Sequence, residues 1–308
     1  MTTEPPKRRL LQFRLRTLLI AILVLSLPLS WFAVRMERAR RQRETVKAIE
    51  RIGGRVEYDY MVDKNGLHIM NAQPPGPVWL RALLGNDFFS DVVTVNLSFI
   101  CSDSDLACCS SPTTFKRLLL VHAPITDAGL ERIAEFTSLQ GLSLHGTKIT
   151  DGGLEYLRRL PELEGLNLQG TSVTDTGLEH LQVLTGLKEL SLEGTKVTDA
   201  GIVRLRKLPK LELLILDGTE VTDDGLQAIK GLPSLQFLSL ANTVITDAGL
   251  EHLKGLSNLE TLTLVDTNVV TPDGIETLRK SLPNCKMTRQ YIVECPRCSD
   301  HELADDSS

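Results

Sequence analysis

The chain repeats itself every 24 residues, and this period constrains its fold more tightly than any other feature of the sequence. Phe115, Leu139, Leu163, Leu187, Leu211, Leu235 and Leu259 each open a unit. The unit from Leu163 reads LEGLNLQGTSVTDTGLEHLQVLTG, within the pattern L-x-x-L-x-L-x-G-T-x-V-T-D-x-G-L-x-x-L-x-x-L-x-x. A degenerate unit with Val95, Leu97, Asp103 and Leu106 precedes these, and the last unit carries one extra residue around Pro272 before Leu278, Leu282 and Cys285. Two periods coexist in every unit. Leu166-Asn167-Leu168 alternates like a strand with one buried face, whereas Leu154, Leu157 and Leu160 recur every third residue, as on one side of a short helix. No single unit can bury both faces, so the units must stack. Seven parallel strands at about 4.8 Å would make a sheet roughly 34 Å wide. Helices are wider than strands, so the stack must curve with its strands inside. Aromatic residues are only 5% of the chain, which fits a core built from one recurring aliphatic side chain.

Over residues 91–286 this pattern resembles the leucine-rich repeat family. The resemblance implies an α/β solenoid with a curved parallel sheet inside and short helices outside. The T-D-x-G-L block is most similar to repeats of bacterial membrane-anchored leucine-rich repeat proteins, and of the substrate-binding half of F-box ubiquitin-ligase subunits. No F-box-like helical module precedes the repeats, so a ubiquitin-ligase role does not carry over; a structural or adaptor scaffold stays as the alternative. Where the family usually has Asn, this chain has Thr147, Thr171, Thr195, Thr219, Thr243 and Thr267. Their hydroxyls are expected to form a structural ladder, donating and accepting from coil to coil. The column Asp127, Asp151, Asp175, Asp199, Asp223 and Asp247 reads as helix-start chemistry, with Thr or Asp capping the first turn. A calcium ladder is the rival, but hard cations want six or more oxygens and each coil offers one carboxylate. The glycine column from Gly129 to Gly249 is expected where coils approach too closely for a β-carbon.

The first part of the chain differs in charge and pattern. Residues 1–55 carry 13 Lys/Arg and 4 Asp/Glu, against 21 and 35 in the remainder. An acidic body argues against a nucleic-acid partner, which needs clustered positive charge. After a basic tail (1–16), residues 17–34 form an uncharged run, which as a helix would span about 27 Å, close to the thickness of a bilayer core. Arg16 and Arg35 bracket it and Trp31 lies near one end, so it reads as an uncleaved membrane anchor; a cleaved signal peptide is the rival. Basic residues nearly balance across the run, and a short tail is easily retained, which places the tail inside and the repeats on the non-cytoplasmic side. Residues 35–52 read as a charged linker helix stopped by Gly53-Gly54. Residues 53–90 read as an N-terminal cap, with a hairpin turning at Asn65-Gly66 between 55–60 and 67–71, a short helix over 78–84, and Phe88-Phe89 as buried plugs.

Function is expected on the concave face, where strand residues alternate with the core leucines. There Leu213, Ile215 and Phe237 form an apolar cluster rimmed by Glu189, Glu193 and Asp217, with His145 and Gln169 in earlier coils. Such a cluster would anchor a basic, apolar protein segment. The six histidines show no paired spacing, and phosphate-loop, zinc-protease, serine-hydrolase and kinase motifs are absent from the sequence. No enzyme activity, cofactor or small-molecule substrate is therefore expected. In the tail, 287–308, Cys295 and Cys298 form a C-x-x-C; with Cys285 and His301 they could hold zinc, or they could form a terminal disulfide or stay as thiols. Cys285 itself stands in a leucine position and is expected to close the stack.

Overall fold

The computed structural model describes residues 15–63, 69, 71–109, 115–267 and 270–288, without the side chains of 15–23, 25, 108 and 109. Ten strands form one sheet whose spatial order is the chain order. They are β1 (Arg55–Tyr58), β2 (Val92–Asn96), β3 (Arg117–Leu119), β4 (Gly141–Ser143), β5 (Gly165–Asn167), β6 (Glu189–Ser191), β7 (Leu213–Ile215), β8 (Phe237–Ser239), β9 (Thr261–Thr263) and β10 (Lys286–Thr288). Strands β2 to β10 run parallel, and like pairs with like: Leu142 faces Leu166, Leu190 faces Leu214 and Leu238 faces Leu262. Leu262 faces Met287, one residue past the period, so the extra residue near Pro272 is absorbed in the return segment and the sheet keeps its register. The inward leucines, such as Leu144, Leu168, Leu192, Leu216 and Leu240, are fully buried. Each contributes about 1.5–3 kcal/mol. Cys285 is buried at the last coil, as its leucine position implied.

The T-D-x-G motif has a single geometric explanation, and it differs from the expected one. In the middle of the stack, Thr198 Oγ1 accepts from Ala200 N at 3.3 Å, capping its own helix, Asp199–Leu205, as foreseen. The backbone N–H and the hydroxyl of Thr198 both donate to Asp175 of the preceding coil, at 2.8 and 2.7 Å. A β-carbon on Gly201 would run into the same Asp175 carboxylate. Each aspartate therefore caps the following coil rather than its own, and the glycine is vacant space that the carboxylate fills. The clasp recurs seven times among the described residues, from Asp103 with Thr126 to Asp247 with Thr271. Both carboxylate oxygens are engaged in it. The threonine column of Thr147 to Thr267 is structural, but it does not bridge coils. Thr147, Thr171, Thr195, Thr219 and Thr243 each donate at 2.6 Å to the carbonyl three residues back in the same coil, and Thr267 does so at 3.1 Å. A hydroxyl is shorter than an Asn amide, so it reaches its own turn and no further.

The amino-terminal side departs furthest from expectation. A single helix, α1 (Leu15–Arg51), runs through both the expected anchor and the expected linker. Its last third is the cap itself: Ala39, Gln42, Thr45, Val46 and Ile49 are buried, and Val46 and Ile49 belong to the repeat core. Polar contacts fix it. Asp87, itself buried, accepts from Gln42 at 3.3 Å, Arg43 at 3.2 Å and Tyr58 Oη at 3.1 Å. Gln42 also donates to Ser90 O at 2.9 Å, and Arg35 pairs with Asp91 at 3.2 Å. Burial, then the Asp87 charge, pushes the Tyr58 hydroxyl well above its ordinary range. Among the described residues, no helix is long and apolar enough to cross a membrane. Eight of the eighteen residues of the expected 17–34 span have side chains outside that description. Of the expected hairpin, the first strand is β1, which pairs antiparallel with β2, and Ile69 N donates to Met61 O at 2.8 Å. Asn65 and Gly66 lie outside the described residues. Helix α2 (Val78–Leu84) covers no coil, because it buries none of its residues.

Candidate functional site

Parallel register sorts the concave face into three rows. The first is Arg117, Gly141, Gly165, Glu189, Leu213, Phe237 and Thr261. The second is Leu119, Ser143, Asn167, Ser191, Ile215, Ser239 and Thr263. The third follows the strands, with His145, Gln169, Glu193, Asp217 and Ala241 carried on successive backbone bonds such as Gly194 N to Asp217 O at 2.8 Å.

Ile215 and Phe237 lie on adjacent coils and are partly buried, each keeping some surface open. Leu213, expected beside them as contact surface, is 2% exposed. It sits between Glu189 and Phe237 on strands about 4.8 Å apart, so its neighbours shield it from both sides. Next to the apolar pair, Glu193 and Asp217 occupy adjacent coils of the third row. Burial, then the Asp217 charge, raises the Glu193 carboxyl above its ordinary value, against a hydrogen bond from Gln169. Burial raises Asp217 too, against Ser239 and the Ala241 N–H, which donates to Oδ1 at 2.8 Å. Two carboxylates that are costly to keep charged are a good seat for a cation, which relieves the cost of both.

Two features of this face were not foreseen. Gly141 and Gly165 leave a hollow of about 180 Å³ between Arg117 and Glu189, edged by the Lys188–Glu164 ion pair at 2.8 Å. The signal was in the sequence, since these are the only two glycines in the first row of the described coils. The second is a file of rings, Phe99 on His122 at 5.5 Å and His122 on His145 at 4.5 Å. The histidines were read as unpaired, but His122 and His145 lie on adjacent coils, one residue short of the 24-residue period. Phe99 and His122 hold positive φ (67° and 52°) in a column where middle coils have Gly170, Gly194 and Gly218.

Among known proteins, the leucine-rich repeat family model matches residues 209–269. These residues fall within the stack whose 24-residue register has just been described. Over this stretch the chain carries leucine-rich repeats. Stacked repeats of this kind offer an extended concave surface suited to binding other proteins. Solved structures similar to it include an internalin C2 from Listeria monocytogenes, 27% identical, with 61% of this chain and 74% of that one covered and a TM-score of 0.46. A second internalin from the same organism is 24% identical, with 64% and 58% covered and a TM-score of 0.48. No curated protein matched.

Within the leucine-rich repeats, the structure brings Glu189, Phe237, Ile215, Glu193 and Asp217 together on three successive coils, with Gln169 one coil earlier and His145 two coils earlier. Of the cysteine set, Cys285 alone lies among the described residues. Cys285 is buried, and burial pushes its thiol up to about 11, which opposes the thiolate a zinc ligand needs. Cys295, Cys298 and His301 lie outside the described residues.

Proposed function

We propose that this leucine-rich repeat protein is a membrane-tethered, non-catalytic interaction module. Its concave face holds a protein segment that places an apolar side chain on Ile215 and Phe237 and a Lys or Arg on Glu193 and Asp217. The carrying observation is that pairing: two partly open apolar side chains adjoin two carboxylates whose charge is penalised by burial. The tether is the uncharged 17–34 run, through which helix α1 continues without a break. It would raise the local concentration of the module at a bilayer, with the repeats on the non-cytoplasmic side.

A photo-crosslinking residue placed at position 237, and a control placed at Val203 on the outer helices, test the site in intact membranes. The reading expects one discrete adduct from 237 and none from 203, lost when Ile215→Asp is added while the stack's unfolding midpoint is kept. Equal adducts from both positions would remove the concave cluster from consideration. Protease protection of the repeats in intact cells tests the compartment.

A further inference from the structure

Helix α2 has an apolar face that the protein does not use. Val78, Trp79 and Leu83 are 73%, 69% and 74% exposed, on a helix whose other face meets the rest of the molecule. Three large apolar side chains on a seven-residue helix are an odd thing to leave in water. Position explains them. Gly76, just before the helix, packs under the Phe89 ring, where a β-carbon would stand 3.0 Å from it. Phe89 meets Phe88 at 5.1 Å, and Phe88 meets Phe32 at 5.4 Å and Trp31 at 6.4 Å on α1. The far end of α2 is tied to α1 by Arg43, which donates to Leu84 O at 2.8 Å. The start of α2 is therefore held level with Trp31 and Phe32, and its end further along α1 toward the repeats.

That stretch of α1 identifies the occupant. Val24, Leu27, Trp31 and Val34 follow one side of the helix and Leu29 lies nearly opposite, and these are 60–66% exposed. A helix apolar all round cannot be covered by one flat protein surface, but lipid covers it from every side. Just beyond, residues 35–44 carry five arginines against two glutamates, a net-basic stretch next to the apolar one. Arg35 and Arg43 turn to Asp91 and Asp87 in the cap, and Arg40 and Arg41 pair with Glu44 and Glu37 along the helix. We propose that α2 is a second membrane contact, lying at the headgroup boundary beside α1 with Val78, Trp79 and Leu83 in the acyl margin. The inference rests on the membrane reading of α1 and adds to it. With two apolar contacts joined by the Phe88–Phe89 rings and the Arg43 tie, the repeat stack is fixed in attitude to the bilayer instead of swinging on a flexible stalk.

The chain contains two tryptophans, one in each contact, so each can be read alone. Full-length Trp31→Phe and Trp79→Phe variants are reconstituted in phosphatidylcholine–phosphatidylglycerol vesicles containing lipids brominated either near the headgroup or near the chain end. Trp79, read in the Trp31→Phe variant, should be blue-shifted, lose most of its emission to the shallow bromines and less to the deep ones, and resist aqueous acrylamide. Adding Leu83→Asp should return its emission toward the red while the protein still floats with vesicles. Quenching of Trp31 with an unquenched, acrylamide-accessible Trp79 would overturn the role of α2 and leave the anchor standing. A Trp79 shielded from both bromines and acrylamide would overturn it in favour of a protein contact. If neither tryptophan is quenched, both readings fall.

Discussion

The cap and the repeat stack are held together by the same kind of chemistry arranged in opposite ways. In the stack, one aspartate, one threonine and one glycine make a clasp, and the clasp is copied from coil to coil. In the cap, a single buried carboxylate, Asp87, gathers Gln42, Arg43 and Tyr58 from two elements and has no copy among the described residues. Copying spreads stability over many equivalent bonds, so each matters locally and none is decisive. Concentration makes one residue decide whether α1 covers the first coil. In a stack whose units touch only their neighbours, a lost cover exposes an apolar end that nothing else can bury.

The largest expected effect therefore lies at Asp87. Asp87→Ala strands the Arg43 and Gln42 donors in a partly buried setting and should cost about 3 kcal/mol. Hydrogen exchange should show the amides of α1 between Ala39 and Ile49 losing protection before those of the central coils. A uniform loss across all coils would mean that cap and stack are one cooperative unit and the contrast is false.

Sequence alone exposes the copied region and hides the unique one. The period placed β3 to β9 and the concave rows, because a residue that recurs at fixed spacing declares a shared environment. It also located Glu193, Asp217, Ile215 and Phe237 on one face. It could not reveal that Asp175 reaches forward to Thr198, since a column of aspartates looks the same whichever coil it serves. Leu213 was misread because alternation reports direction, not the size of neighbours on adjacent strands. The cap was misread for a chemical reason: its buried stripe is Ala39, Gln42, Val46 and Ile49, half of it lacking a large apolar side chain, and Gln42 is buried only because Asp87 and Ser90 meet it. Partners remote in sequence leave no local pattern.

A smaller effect is expected from breaking one copy of the clasp. In Gly201→Ala the new methyl meets the Asp175 carboxylate, Val197 Cγ1 at 2.9 Å and Leu178 Cδ1 at 3.0 Å, so the coils must part locally. The cost should be about 2 kcal/mol. Thr198→Val removes the hydroxyl bond to Asp175 and the cap on Ala200 but leaves the backbone bond, for about 1 kcal/mol. Urea unfolding orders these against Asp87→Ala. A Thr198→Val cost equal to that of Asp87→Ala would show that the clasps are not shared out, which breaks the comparison from the other side.

The smallest effect should favour the variant over the parent. The raised carboxyl of Glu193 means that its protonated form suits the folded state better than its charged form. The associated stability is fully present below the ordinary value of 4.5 and is lost as pH rises through the raised folded value. Glu193→Gln removes that loss, so at pH 7 the variant should unfold at a higher urea concentration than the parent, with the gap closing below pH 4.5. The same change should weaken a partner's Lys or Arg at this seat, because the cation's gain came from relieving a charge the fold keeps at a cost. A residue maintained for packing would show the first effect with no loss of binding, and one placed for a partner must show both. Glu193 therefore separates surface that merely lines the arc from surface that the arc exists to present.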